Sequence, residues 1–279
     1  MRRARDDGGV NGNLVPARPS SRFRRFFSGY ATRMVRRRFH SAMVLAGDGD
    51  HFARLDSLQV PVIILMTHAS WWDPLVGLAL WRRFTPSREL LMPMDASELE
   101  RFDFFRRLGM FGIDPDDPGS LEAMKHYVLE RFGASSDRPT LGLTPQGRFT
   151  DAREPIRLRP GAAAIAAASP IRPEVIAVAV EYPFWQDKLP ELLVSISPVA
   201  SPRADQPSTA DWHRGMVDAM TDASGRLAAA SISRDPGGFE VLHADLGSRT
   251  RINPIMDGWL RLRGRSGAVK ARGKGEPTT

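Results

Sequence analysis

Six short, largely apolar runs constrain the fold of this chain more than any other feature. They are VPVIILM (60–66), ELLMPM (89–94), MFGID (110–114), TLGLT (140–144), EVIAVAVEY (174–182) and ELLVSISPV (191–199). A strand with one wet face alternates apolar and polar residues, whereas these runs carry no such alternation and read as strands buried on both sides. Between them lie stretches with helical character at 70–84, 97–109, 120–132 and 160–168, and a further one follows at 209–230. Strands interleaved with helices predict an α/β fold: a largely parallel twisted sheet covered by helices, in a single domain over 41–245. Residues 1–20 and the end of 246–279 are rich in Gly, Pro and Arg and are expected to be disordered basic tails, the latter closing a C-terminal extension.

The 279 residues are enough to close a substantial core. No apolar run approaches the roughly 20 residues of a membrane-spanning helix, and the N-terminus lacks the apolar core of a signal peptide. The absence of cysteine excludes disulfides, iron–sulfur clusters and thiolate zinc sites, and fits a reducing cytosol. The formal net charge of +7 predicts attraction to anions without choosing among them.

The segment MTHASWWDPL (66–75) falls where the first run hands over to a helix. Ligands of open α/β sheets bind at such carboxyl ends of strands. Ser70 can cap the helix, Asp73 can serve as the acid of a capping box, and Pro74 is tolerated in the first turn. None of this accounts for His68. Five residues along a continuous helix would separate His68 from Asp73 by about 140°. With His68 just outside the helix, the chain can bend until the Asp73 carboxylate meets one ring nitrogen. The other nitrogen is then a general base, suited to removing a proton from a hydroxyl that attacks an activated acyl group. No metal is needed, and the remaining histidines lack metal-ligand spacing.

The string THASWWDP resembles the first motif of the lysophospholipid (glycerolipid) acyltransferase family, of the 1-acylglycerol-3-phosphate acyltransferase type, N-H-x-S-x-x-D. His68, Ser70 and Asp73 match, and Thr67 replaces the Asn. Further similarities follow in order over residues 38–200. LGLTPQGRFTDAR (141–153) resembles the third motif, F-P-E-G-T-R, with Pro145 and Gly147 matching, Gln146 in place of Glu and Arg148 in place of Thr. GMFGIDPDD (109–117) stands where the second motif, G-x-F-x-I-x-R, belongs, but Pro115 or an aspartate occupies the arginine position. RLRPGAAAIAAASP (157–170) resembles a family helix, and EVIAVAVEY the fourth motif with Ala177 for its proline.

The resemblance implies an O-acyltransferase that esterifies a lysophospholipid or another lipid or glycolipid hydroxyl. Its co-substrate would be acyl-CoA or an acyl carrier protein thioester, with no other cofactor. His68 and Asp73 would be catalytic, and Ser70, Pro145, Gln146, Gly147, Arg148 and Arg153 would bind substrate. Arg148, Arg153, Arg157 and Arg159 could replace the missing second-motif cation. Oxyanion stabilisers are not identified by sequence, the Gly147 turn being a candidate. The alternative is an inactive lipid-binding protein on the same fold.

The segment 21–40 interleaves seven arginines with aromatics. Such a segment can lie in an anionic headgroup layer, with Arg24, Arg25, Phe26, Phe27, Arg36 and Arg37 as membrane contacts. It could equally be a helix packed on the domain with its arginines in solvent. The expected location is cytoplasmic, peripheral to a membrane. No recognisable nucleic-acid-binding motif accompanies the charge, so nucleic acid is not the expected partner. Oligomeric state is left open.

Overall fold

The computed structural model describes residues 14–134, 138–185 and 187–244. Eight strands form one mixed sheet: β1 (Ser41–Leu45), β2 (Val62–Met66), β3 (Glu89–Asp95), β4 (Met110–Ile113), β5 (Pro139–Leu143), β6 (Glu174–Glu181), β7 (Leu192–Pro198) and β8 (Phe239–Ala244). Their order is β4-β3-β5-β2-β6-β7-β1-β8. The first five in that order run parallel, β7 and β1 run the opposite way, and β8 pairs antiparallel with β1. The largely parallel α/β fold is therefore as expected, with the edge pair β1 and β8 added to it.

Helices cover both faces. On the front lie α1 (Ser21–Arg38), α2 (Gly49–Ala53) and α3 (Asp73–Phe84), whose Val35, Phe52, Val76 and Leu80 join the strand residues Val62, Met66 and Val178 in one apolar cluster. On the back lie α5 (Pro118–Gly133), α6 (Gly161–Ala168) and α7 (Thr209–Ser233), packed on Ile63, Leu65, Leu141 and Ala177. Even and odd positions of β2 thus serve opposite cores, which is why its sequence shows no polar alternation.

Three expectations need correction. The stretch 97–109 is not one helix: α4 (Ala96–Arg101) ends at Phe102, and a 3-10 helix spans Asp103–Leu108. The break brings Phe104 and Phe105 against Phe27 of α1. Gly109, at φ +110°, then turns the chain into β4, where a Cβ would sit 1.9 Å from the Leu90 carbonyl oxygen. Secondly, residues 14–20 are not a free tail. Val15 exchanges backbone hydrogen bonds of 3.0 and 2.8 Å with Gly112, and Leu14 and Ala17 are buried. Residues 1–13 and 246–279, expected to be tails, lie outside the described residues. Thirdly, α3 begins at Asp73 rather than Ser70, with no side-chain cap.

One buried cation fastens the amino edge of the sheet. Arg88, just before β3, donates to Thr140 Oγ1 and to the carbonyls of Leu55, Leu58, Val60 and Pro139. Burial lowers its guanidinium to about 10, so it stays charged at neutral pH.

Candidate active site

The adjacent strands β5, β2 and β6 end side by side, and the loops that follow them meet at one corner. His68 leaves β2 two residues beyond its end. Its Nδ1 lies 2.9 Å from Asp73 Oδ2. Asp73, at the head of α3, is fully buried. A buried carboxylate stays ionised only if donors surround it. Here the Ser70 backbone N–H donates to Oδ2 at 2.9 Å, and the Tyr182 hydroxyl donates to Oδ1 at 2.5 Å. An ionised Asp73 requires the imidazole to carry its proton on Nδ1. Nε2 is then an acceptor, and it has no bonded partner among the described residues.

The loop after β5 clamps the His68 backbone from both sides. Gln146 Oε1 accepts the His68 N–H at 2.9 Å, and Thr150 N–H donates to the His68 carbonyl at 2.8 Å. Between them the Phe149 ring stacks on the imidazole with centroids 4.0 Å apart. Thr67 ties the corner to β6, its Oγ1 accepting from Val180 N–H at 3.0 Å.

His68 opens onto a cavity of about 780 Å³ beneath α3. One wall is the sheet, with Ile64, Met66, Met92 and Gly142; another is α3, with Gly77 and Leu80; and at the carboxyl edge Leu121 and Met124 of α5 and Gly161 and Ala162 of α6 also border it. The cavity extends from the carboxyl edge of the sheet toward Phe52 and Leu90 near its amino edge. Its size is in the range of small-molecule sites, and its lining is almost wholly apolar. Polar groups gather at the His68 end, where Arg148 and Arg159 also line it.

The expected binding residues divide. Pro145, Gly147 and Arg148 line the cavity. Gly147 is required as glycine: its φ is +69°, and a Cβ would meet Arg159 Nε at 2.6 Å. Its N–H is used by the turn, donating to Thr144 O at 3.0 Å, so it is not a spare oxyanion donor. The Arg148 and Phe149 N–H groups, by contrast, have no partner among the described residues. Gln146 is buried and holds His68 rather than facing the cavity. Ser70 shapes its own loop, its Oγ accepting from Trp72 N–H at 3.2 Å. Arg153 is not brought to the site: its side chain is 89% exposed and bonds Asp151, whose carboxyl it holds well below the usual range. Arg157 is exposed and does not line the cavity.

Arg159 occupies the neighbourhood that the missing second-motif arginine would fill. Its Nη1 donates to Pro115 O at 3.2 Å, and its Nη2 lies 4.0 Å from Asp116 Oδ1. Three residues went unread in the sequence: Tyr182, Phe149 and Trp71. The first bonds Asp73, and the other two rim the corner at 57% and 73% exposure.

Segment 21–40 is helical through Arg38 and packs antiparallel to α3. Arg24 and Phe27 face inward. The Arg24 guanidinium lies 5.1 Å from the Trp81 ring, partly desolvated, and Phe27 joins Phe104 and Phe105. Both are therefore partly buried against the protein itself. Phe26, 71% exposed, and Arg25, Arg36 and Arg37 face outward. No helix among the described residues is long and apolar enough to cross a membrane.

Residues 49–181 match the protein family described as Acyltransferase, and this segment, which holds β2 to β6 and the corner apart from Tyr182, is a domain of the glycerolipid acyltransferase family. No curated protein matches the chain.

Proposed function

We propose that this acyltransferase-family domain moves a fatty acyl group from a thioester, acyl-CoA or acyl carrier protein, to a hydroxyl of a lysophospholipid or another lipid or glycolipid. The observation that carries this reading is the position of His68. Its Nδ1 is held 2.9 Å from a buried carboxylate, and it stands at the polar end of a large apolar cavity.

His68 Nε2 takes the proton of the acceptor hydroxyl as that oxygen attacks the thioester carbonyl carbon. A tetrahedral oxyanion forms, for which the unpartnered N–H groups of Arg148 and Phe149, in the loop that clamps His68, are candidate donors. Collapse breaks the C–S bond, and the imidazolium returns its proton to the leaving thiolate. Asp73 keeps the imidazole in one tautomer and offsets its charge while it is protonated.

The apolar cavity suits the acyl chain, since each buried CH2 contributes about 0.8 kcal/mol. Arg148 and Arg159 suit a phosphate on the acceptor. Their present partners, Glu154 and Asp116, are exposed, and surface ion pairs are weak enough to be exchanged. The outward face of α1, with Phe26 and Tyr30 among Arg22, Arg25, Arg33 and Arg36, suits an anionic membrane surface at which both substrates would reside. Each cation there contributes about 1 kcal/mol. A lipid-binding protein without activity could use the same cavity, but it would have no need of a base held with its acceptor nitrogen exposed.

The test is mass spectrometry of lipids after purified protein meets acyl-CoA or acyl carrier protein thioester and a panel of hydroxyl-bearing lipids. An ester made by the wild type and absent with His68→Ala supports the enzyme and identifies the acceptor. Unchanged donors and acceptors with both proteins, alongside equal vesicle binding, favour the lipid-binding alternative. Equal product from both proteins removes His68 from the mechanism.

A further inference from the structure

Asp73 has two carboxylate oxygens, and the reading above uses one. Oδ2 receives His68 Nδ1–H and the Ser70 N–H, while Oδ1 receives the Tyr182 hydroxyl at 2.5 Å. Tyr182 follows the end of β6 directly, 109 residues from Asp73 in the chain. Its ring is held by Phe39, the residue that ends α1, with centroids 5.5 Å apart. Phe39 in turn lies edge-on to Trp72, the neighbour of Asp73, at 5.3 Å. The phenol therefore cannot swing aside without disturbing the end of α1 and the head of α3. Burial, reinforced by the Asp73 charge, pushes the phenol far above its usual range, so it remains a neutral donor.

We propose that Tyr182 is a positioning residue for acyl transfer, fixing the Asp73 carboxylate and tempering its hold on the His68 proton. This rests on His68 being the general base. A donor at Oδ1 draws negative charge away from Oδ2, so Asp73 favours the imidazolium less strongly than a carboxylate without that donor. It also removes the freedom of the carboxylate to rotate, which keeps Nδ1 bonded and Nε2 aimed. The other titratable groups packed near Tyr182 are engaged elsewhere. His40 Nδ1 lies 2.8 Å from Glu191, which also takes the Ser41 hydroxyl at 2.5 Å. Glu181 bonds Ser231 of α7 on the opposite face of the sheet. The arginines that end α1 are exposed.

Tyr182→Phe tests this, because it keeps the ring and its contacts with Phe39 and removes only the donor. Two readouts are taken on full-length protein: the pH profile of transfer, and the NMR titration of isotope-labelled histidine, with His68 assigned by comparison with His68→Ala. The expected result is a titration midpoint raised by about one pH unit. The limb of the rate profile at which the dyad loses its proton moves up with it. At neutral pH kcat falls about tenfold, the size of one hydrogen bond to a charged group, with KM little changed. A folded Tyr182→Phe protein with an unmoved His68 midpoint and an unchanged profile overturns the proposal and leaves the ring as packing. If the wild type transfers no acyl group, the enzyme reading fails by itself. The NMR midpoint then still decides whether Tyr182 tempers Asp73.

Discussion

Behind the sheet, Phe111, Tyr127, Phe132 and Trp212 interlock among α5, α6 and α7. In front, beneath α3, the same strands present Gly142, Met66 and Met92 to a cavity of about 780 Å³. A close-packed interior leaves few voids larger than a water molecule, so the front departs from the rule, while the back keeps to it except at the carboxyl edge, where the heads of α5 and α6 also border the cavity. One layer of strands serves both: Ile63 and Leu65 fill the back core, and Ile64 and Met66 border the cavity. The back carries rigidity for the frame, which lets the front hold open space beside His68.

The largest expected effect separates chemistry from packing. His68→Ala should lower acyl transfer by about 10²- to 10⁴-fold, the range for loss of a general base. Its unfolding free energy should fall by about 1–3 kcal/mol, because the buried Asp73 carboxylate keeps its Ser70 and Tyr182 donors but loses the one from His68. Thermal unfolding and the product assay, run together, check both halves. A protein that loses activity only because it unfolds would break the distinction between frame and site.

Stability should depend on which face is cut. Phe132→Ala, fully buried behind the sheet, should cost about 3–5 kcal/mol, because transfer and cavity terms add. Met92→Ala, which already borders empty space, should cost less than about 1.5 kcal/mol. Equal losses in urea titrations would mean that the front is as tightly supported as the back.

How much of this was legible in the sequence follows from the range of each interaction. β2 shows in VIILM because burial on both faces is written into every one of its residues. β8 does not: Phe239–Ala244 is an edge strand with an exposed Val241, and what makes it a strand is pairing with β1 far away in the chain. His68 and Asp73 were legible because a five-residue bend joins them. Tyr182 was not, because its bond to Asp73 exists only once β6 lies beside β2. Ser70 misled for a local reason. Its hydroxyl had a cap's spacing, but it turned to Trp72 N–H, and the head of α3 was left to an Asp73 whose carboxylate serves the corner. Arg153 misled because a guanidinium two residues from a carboxylate bonds that carboxylate first.

The outer layer of the front repeats the contrast between consecutive residues of α1. Phe26 faces outward and Phe27 packs on Phe104 and Phe105. Phe26→Ala should weaken binding to anionic vesicles by about tenfold, as expected when one phenyl ring is not buried in lipid, and leave unfolding unchanged. Phe27→Ala should lower the unfolding temperature and affect vesicle binding less. Flotation with vesicles of phosphatidylserine and phosphatidylcholine, compared with pure phosphatidylcholine, reads the first effect. Identical behaviour of the two variants would argue that α1 meets no membrane.

The smallest effect probes the open space itself. Gly142 lies on β5, and a Cβ there would come 3.5 Å from Met92 Cγ and 3.9 Å from Leu90 Cδ1, ordinary van der Waals distances. Gly142→Ala therefore needs no shift of its neighbours. Glycine in a strand weakens it, so stability should hold or rise by less than about 1 kcal/mol. The added methyl group takes volume from the cavity wall. If the cavity holds the acyl chain, the enzyme should then favour a donor shorter by about one methylene. The change in kcat/KM ratio between neighbouring chain lengths should be about fourfold, the equivalent of one buried CH2. Competition between donors of graded length in one reaction measures that ratio directly. Gly142→Ala with altered stability and unaltered preference would mean that the void belongs to the frame rather than to the substrate.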